Sequence, residues 1–255
     1  VEALLMAFLD RLAGRVAVIK PQIAFFEQLG APGIALLERV VRAARERELI
    51  VILDAKRGDI GSTAEGYARA YLDPAAAVEV DAITLNPYLG LDTLAPFVER
   101  AEAHGRGLFV LAKTSNPGSG DLQDRILEKE GPVYEAVTQS LEGLAERLAG
   151  PATGWSSLGI VAGAPYPEQA ERLRALLPKA LFLIPGYGAQ GGSAADAVRS
   201  FVPGPKGLEG GLVNSSRGLL FPEAGAGARS AAEWEAAIDE AIDRACTELA
   251  QVVAR

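Results

Sequence analysis

The stretch LIVILDAKRGDIGSTAEGY, residues 49–67, runs from apolar residues into a knot of charge and then into a helical pattern. Leu49 to Leu53 are continuously apolar and rich in β-branched residues, the pattern of a strand buried on both faces. Asp54, Lys56, Arg57 and Asp59 follow at once. Charge at the end of a buried strand is costly to desolvate, so its presence asks for a reason. Asp54 and Lys56 are two apart and are expected on the same side of an extended strand.

Outward from this stretch the same alternation repeats. Apolar runs occur at VAVIK (16–20), LIVILD (49–54), AITLN (82–86), LFVLAK (108–113), LGIVAG (158–163), LFLIPG (181–186) and GLVNSS (211–216). Between them, APGIALLERVVRAARERE, LDTLAPFVERAEAHG, EAVTQSLEGLAERLAG and YPEQAERLRALLP carry apolar residues at helical spacing. A final helix is expected after Ser230, a suitable N-cap. Repeated βα units with buried parallel strands predict a (β/α)8 TIM barrel rather than an open doubly wound sheet. Seven strands are visible. The eighth that a closed barrel needs is expected ahead of Val1, so the chain reads as one barrel domain over 1–255, shortened at its N-terminus. An open seven-stranded sheet is the alternative. KTSNPGSGDLQD and VPGPKGLEGG are expected to be loops, the first a candidate lid at the active rim.

Composition removes several functions. The net charge of −8 disfavours a nucleic-acid partner, which needs a basic face. One cysteine, Cys246, permits no internal disulfide and fits a reducing cytosol. One histidine, His104, excludes His-rich metal sites, and its place before Gly105 suits a helix cap. Cys246, in the last helix, is read as packing, and Trp155 and Trp234 as core or surface-edge residues. The N-terminal VEALLMAFLDRLAGRV is amphipathic and not a signal peptide, and no apolar run is long enough for a membrane span.

In such barrels chemistry sits at the C-terminal ends of the strands. Those ends carry Lys20, then Asp54 with Lys56 and Asp59, then Asn86, then Lys113 with Thr114 and Ser115. Gly163, Pro185 to Gly192 and Asn214 to Arg217 follow. Lys20, Asp54, Lys56 and Asp59 could be an ion-pair network that merely closes the barrel top. Two cations and two anions alternating in a low-dielectric mouth would also hold one another charged, which marks a candidate catalytic array. IPGYGAQGG (184–192) is a glycine-rich turn before a helix start, with the Gly191 and Gly192 amides as phosphate donors. VNSSRG (213–218) places Arg217 and Gly218 after the last strand, where an arginine can grip phosphate in two places.

These segments resemble orotidine 5′-phosphate decarboxylases of the long-chain bacterial form. LDAKRGDIGSTA is similar to that family's DxKxxD signature. VIKPQIAFFE, TLNPYLG, AKTSNPGS, PGYGAQGG and VNSSRG follow in the family's order over nearly the whole chain. The resemblance implies a cytoplasmic (β/α)8 homodimer converting orotidine 5′-phosphate to UMP and CO2 with no metal or organic cofactor. It implies a charged tetrad of Lys20, Asp54, Lys56 and Asp59, with Asp59 and Thr63 serving the neighbouring subunit. Ser115 would contact the pyrimidine, and Gln190 and Arg217 the phosphate. Asn86, Thr114, Gly191, Gly192 and Gly218 complete the substrate-binding candidates. The family's first strand ends in an aspartate that holds the ribose, and it is not among the seven runs. Two rivals are a Mg-dependent sugar-phosphate decarboxylase or aldolase of the same suprafamily and a non-catalytic phosphate-ligand barrel. In the first, the position matching Lys20 looks like a glutamate that helps bind the metal.

Overall fold

The computed structural model describes residues 1–254. In chain order the strands are β1 (Val18–Ile19), β2 (Ile50–Arg57), β3 (Ala82–Leu85), β4 (Gly107–Lys113), β5 (Ile126–Leu127), β6 (Gly131–Pro132), β7 (Ser156–Ala162), β8 (Ala180–Ile184), β9 (Val202–Gly204), β10 (Gly207–Glu209) and β11 (Gly211–Val213). Seven of them form one parallel sheet in the order β1-β2-β3-β4-β7-β8-β11, so each apolar run of the sequence contributes one strand. The first and last runs contribute only two and three residues. The remaining strands form two small antiparallel ribbons, β5-β6 and β9-β10. VPGPKGLEGG is therefore a hairpin and not an irregular loop.

Both faces of the sheet are apolar, for different reasons. Ile52, Ala82, Phe109, Val161 and Leu183, from five neighbouring strands, pack together on the concave side. Their sequence neighbours, among them Val51, Leu53, Ile83 and Leu108, face the surrounding helices. Alternation within a continuous apolar run thus divides residues between two cores rather than between core and water. The helix Gly30–Glu46 shows the matching pattern. Leu36, Leu37, Val40, Val41 and Ala44 are buried, while Arg39, Arg42 and Arg45 carry ion pairs with acids. The segment 133–148 forms two helices, Val133–Ser140 and Glu142–Arg147, rather than one. Ser230 caps the helix Ala231–Val253, its hydroxyl accepting the Glu233 amide at 3.2 Å.

β1 and β11 are the edges of the sheet, and among the described residues they do not pair with each other. The helical layer spans the interval. Glu2–Leu12 packs against Ala231–Val253. Arg11 pairs with Glu235 at 3.1 Å and with Asp239 at 3.0 Å, and Arg15 reaches Asp239 and Asp243. Such part-exposed pairs contribute little singly, but here two from the helix Glu2–Leu12 and two from the turn after it converge on the helix Ala231–Val253.

At the N-terminal end of the sheet, opposite the rim, Arg174 is 7 % exposed. Its guanidinium donates to the carbonyls of Ser200 (2.8 Å), Pro178 (3.1 Å), Ala180 (2.6 Å) and Gly210 (2.7 Å) and stacks on Phe182 at 3.9 Å. No carboxylate pairs with it among the described residues. Burial alone pulls its pKa down to about 10, so it stays charged at neutral pH. This one side chain ties together the starts of β8 and β11 and the Ser200 turn. Arg174→Met is expected to destabilise the fold by about 3 kcal/mol or more, because several buried carbonyls lose their donor together. Urea unfolding would measure this. Arg174→Lys should recover only part of the loss, since an ammonium lacks the planar five-donor fork. A change below about 0.5 kcal/mol for Arg174→Met would refute the assignment.

Candidate active site

Ile52 points into the concave core, and Asp54, two residues on, points the same way at the rim. Asp54 is 8 % exposed. One carboxylate oxygen accepts Lys20 Nζ at 2.6 Å and the other accepts Lys56 Nζ at 2.5 Å. Lys20 is carried there by β1, whose chain continues alongside β2. The Asp54 amide donates to Pro21 O at 2.9 Å, and the Ile23 amide donates to Asp54 O at 3.2 Å. Burial would raise the Asp54 pKa, but the charge and hydrogen bond of Lys20, then those of Lys56, outweigh it and hold the pKa below its ordinary value. The array therefore adds stability above about pH 4 and loses it as pH falls through the depressed pKa.

The simple reading that Asp54 and Lys56 share a strand face needs correction in its cause. The β2–β3 register slips between Leu53 and Arg57, so four steps on β2 face two on β3. Lys56 takes φ 46°, an unfavourable backbone for a residue with a side chain. This bulge, not regular pleating, brings Lys56 Nζ back onto Asp54. Thr84 on β3 supports it. Its hydroxyl accepts the amides of Ala55 (3.0 Å) and Lys56 (2.9 Å) and donates to Asp54 Oδ1 at 3.1 Å. Thr84 is 1 % exposed and lies in TLN, but nothing in its own run marked it as a site residue.

Asp59 stands apart from the other three. Its carboxylate accepts the Ile60 amide at 2.8 Å, and no cation pairs with it among the described residues. Thr63 is exposed on the first turn of the helix Gly61–Leu72. Asn86 is exposed, and its side chain accepts the Tyr88 amide at 3.0 Å. Thr114 and Ser115 follow β4. Ser115 is enclosed by two glycines. A Cβ on Gly163 would come within 2.8 Å of Ser115 Cα, and one on Gly186 within 3.1 Å of Ser115 Cβ. Lys113, placed at the rim by its sequence, is 1 % exposed and turned to its own loop, where it pairs with Asp124 at 2.6 Å.

The loop after β8 folds back on itself. The Gly191 amide donates to Gly188 O at 2.8 Å and the Gly192 amide to Gly186 O at 3.1 Å. These amides, expected to face a phosphate, are engaged within the turn. The exposed Gln190 and Arg217 side chains remain as anion donors, together with the backbone around Gly218. Arg217 Nη2 donates to Ala189 O at 3.4 Å, which brings the two loops side by side. The helix that follows the loop is one turn, Ala194–Ala197, closed by a Ser193–Asp196 capping box. Tyr187 anchors the loop from the other side through Glu248 at 2.6 Å, and burial, then Glu248, pushes its pKa up to about 12.

The other singled-out residues lie away from the rim chemistry. His104 ends the helix Ala95–His104 before Gly105, which takes the left-handed φ of 63°. Trp155 lies over Arg174, and Trp234 packs half-buried on the core. Cys246 is exposed and does not pack. Among the described residues no cluster of His, Cys, Asp and Glu is suited to a metal ion.

A parallel sheet wrapped by helices, with Asp54 bridging Lys20 and Lys56 at its C-terminal rim and an arginine-bearing loop after the strand at its other edge, defines an α/β barrel. Residues 2–230 match the model described as the orotidine 5′-phosphate decarboxylase / HUMPS family, and the chain belongs to that family. It is 44 % identical over 236 residues to the orotidine 5′-phosphate decarboxylase of Rhodopirellula baltica, covering 91 % of this chain and 74 % of that one. To the enzyme of the same name from Deinococcus radiodurans it is 45 % identical over 213 residues, covering 84 % and 74 %. The solved structure of Leishmania donovani OMP decarboxylase superposes with a TM-score of 0.77 at 34 % identity, covering 98 % of this chain and 87 % of that one.

Proposed function

We propose that this chain decarboxylates orotidine 5′-phosphate to UMP and CO2, the last step in making the pyrimidine nucleotide. The observation that carries the reading beyond family likeness is that Asp54 gives one oxygen to each of two lysines at the barrel rim. Breaking the bond between C6 and the carboxylate releases CO2 and leaves the electron pair on a ring carbon with no electron sink. A fixed cation must meet that charge as it develops. Lys56, ion-paired to Asp54, stabilises the carbanion and then donates a proton to C6, becoming neutral until solvent restores it. Lys20 keeps Asp54 ionised, so that Asp54 aims Lys56 rather than taking its proton. Phosphate held by Gln190 and Arg217 supplies binding energy remote from the reacting carbon, and Ser115 contacts the pyrimidine.

The active form on this reading is a homodimer. Phe25, on the short helix Ala24–Glu27, and Ile60, Tyr88 and Leu89 are 68 %, 62 %, 76 % and 50 % exposed, on the segments that follow three adjacent strands. An apolar patch of this kind suits burial against a second copy. Asp59 and Thr63 lie in the same region and complete the partner's site. No described helix is long and apolar enough to cross a membrane, and a reducing cytosol suits the exposed Cys246.

Incubating the chain with orotidine 5′-phosphate and EDTA should yield UMP. Activity only on added Mg2+, or none on this substrate, would overturn the reading in favour of the sugar-phosphate or non-catalytic alternatives. A positive charge at position 20, where the metal-dependent branch has a glutamate, supports the metal-free route. Arg217→Ala is expected to weaken UMP binding by about 1.5–3 kcal/mol, the worth of hydrogen bonds to a charged group, and to leave uridine binding nearly unchanged. Calorimetry with both ligands checks this. An equal loss for the two would remove Arg217 from the phosphate seat.

A further inference from the structure

Ser115 lies two residues after the buried Lys113 and precedes a segment, with short helices at Pro117–Ser119 and Gly120–Gln123, from which Asn116, Ser119, Gln123 and Asp124 bond back to Lys113 and Thr114. Gln123 Oε1 accepts the Thr114 amide at 3.0 Å, and Gln123 Nε2 donates to Thr114 Oγ1 at 2.8 Å. That hydroxyl donates on to Asn116 Oδ1 at 2.7 Å. Asn116 O in turn accepts Tyr166 OH at 3.2 Å. Beneath them Lys113 Nζ donates to Asp124 at 2.6 Å and Ser119 Oγ at 3.2 Å and lies 4.3 Å from the Tyr166 ring. A lysine this buried is costly unless paired, and the partner it finds is one residue beyond Gln123. The residues on both sides of Ser115 are thus fixed, one through both ends of a single amide side chain.

We propose that residues 116–124 are a buckle that sets Ser115 over the pyrimidine, with Gln123 as the positioning residue and the Lys113–Asp124 pair as its anchor. The proposal rests on the reading above, in which Ser115 contacts the base. Gln123 itself touches no substrate and acts through the Thr114 backbone. The excursion after β4 is therefore a tether for a specificity contact, with its closing bonds already formed.

The test uses Gln123→Met, which keeps length and removes both hydrogen bonds, and Gln123→Glu, which keeps the acceptor for the Thr114 amide. Amide exchange of residues 114–116 is measured without ligand, and binding is measured for UMP and for ribose 5-phosphate. Gln123→Met is expected to speed exchange at Thr114 and to raise the UMP Kd about tenfold, the scale of a lost hydrogen bond. Ribose 5-phosphate affinity should move less than about twofold, and Gln123→Glu should recover most of the loss. In a Ser115→Ala background Gln123→Met should add less than about twofold, because both act on one contact. Equal losses on the two ligands, full additivity with Ser115→Ala or unchanged UMP binding would overturn the proposal. Should Gln123→Met not fold, Asp124→Asn is held to the same split between ligands. If the unaltered chain binds neither ligand, the functional reading fails and the proposal falls with it. If exchange at Thr114 ignores Gln123 while UMP binds, the buckle alone fails.

Discussion

Lys56→Ala is expected to remove at least about 10^4-fold of the UMP-forming activity, because general acid catalysis and the stabilisation of developing charge go together. UMP should still bind, since the proposed phosphate donors Gln190 and Arg217 follow β8 and β11, toward the other edge of the sheet from β2. Lys56→Arg is the sharper comparison. It keeps a cation near Asp54, but a guanidinium does not release its proton at neutral pH and does not fit a site shaped for an ammonium. Lys56 also occupies a left-handed backbone position, with φ 46°. A glycine there relieves strain, so Lys56→Gly separates loss of chemistry from loss of fold. Residual activity within about tenfold of the unaltered chain, measured with saturating substrate, would move the proton donor elsewhere.

Mixing two inactive variants should restore activity. Asp59 accepts the Ile60 amide and pairs with no cation among the described residues, whereas Lys20, Asp54 and Lys56 are already joined. If Asp59 completes the partner's site, a dimer of one Lys56→Ala and one Asp59→Ala subunit carries both defects in one site and neither in the other. Random re-association of equal amounts gives about half mixed dimers, so about a quarter of full activity should return. If Asp59 serves its own chain, every site keeps one defect and mixing restores nothing. Dissociation, re-association and a UMP assay decide between these outcomes.

The strand count and order were legible because parallel strands buried on both faces leave an unmistakable signature. Neither face can afford a polar residue until the strand ends. For the same reason the polar strand ends stood out as a rim. Other elements were hidden. The residues of VPGPKGLEGG look like a loop because Gly and Pro punctuate either structure, and the β9–β10 pairing is decided by packing. Arg174 reads as the polar face of a helix, yet it is buried, because the strand starts beneath it present carbonyls that need a donor. Cys246 reads as packing, yet it falls on the exposed side of a long helix whose buried positions are Ala237, Ile238, Ala241 and Ile242.

By itself the sequence determined that a repeated βα chain would present Lys20, Asp54 and Lys56 at one end of a parallel sheet, since period and burial suffice for that. Which atoms meet was decided by tertiary structure alone. The bulge that turns Lys56 onto Asp54 exists because Thr84, on the next strand, accepts two consecutive amides of β2. The Gly191 and Gly192 amides turn inward because the loop closes on its own carbonyls, leaving Arg217 to face outward beside it. Hydropathy along a chain records how deeply each residue will be buried. It does not record the partner that a donor or acceptor will find there, because that partner comes from another strand.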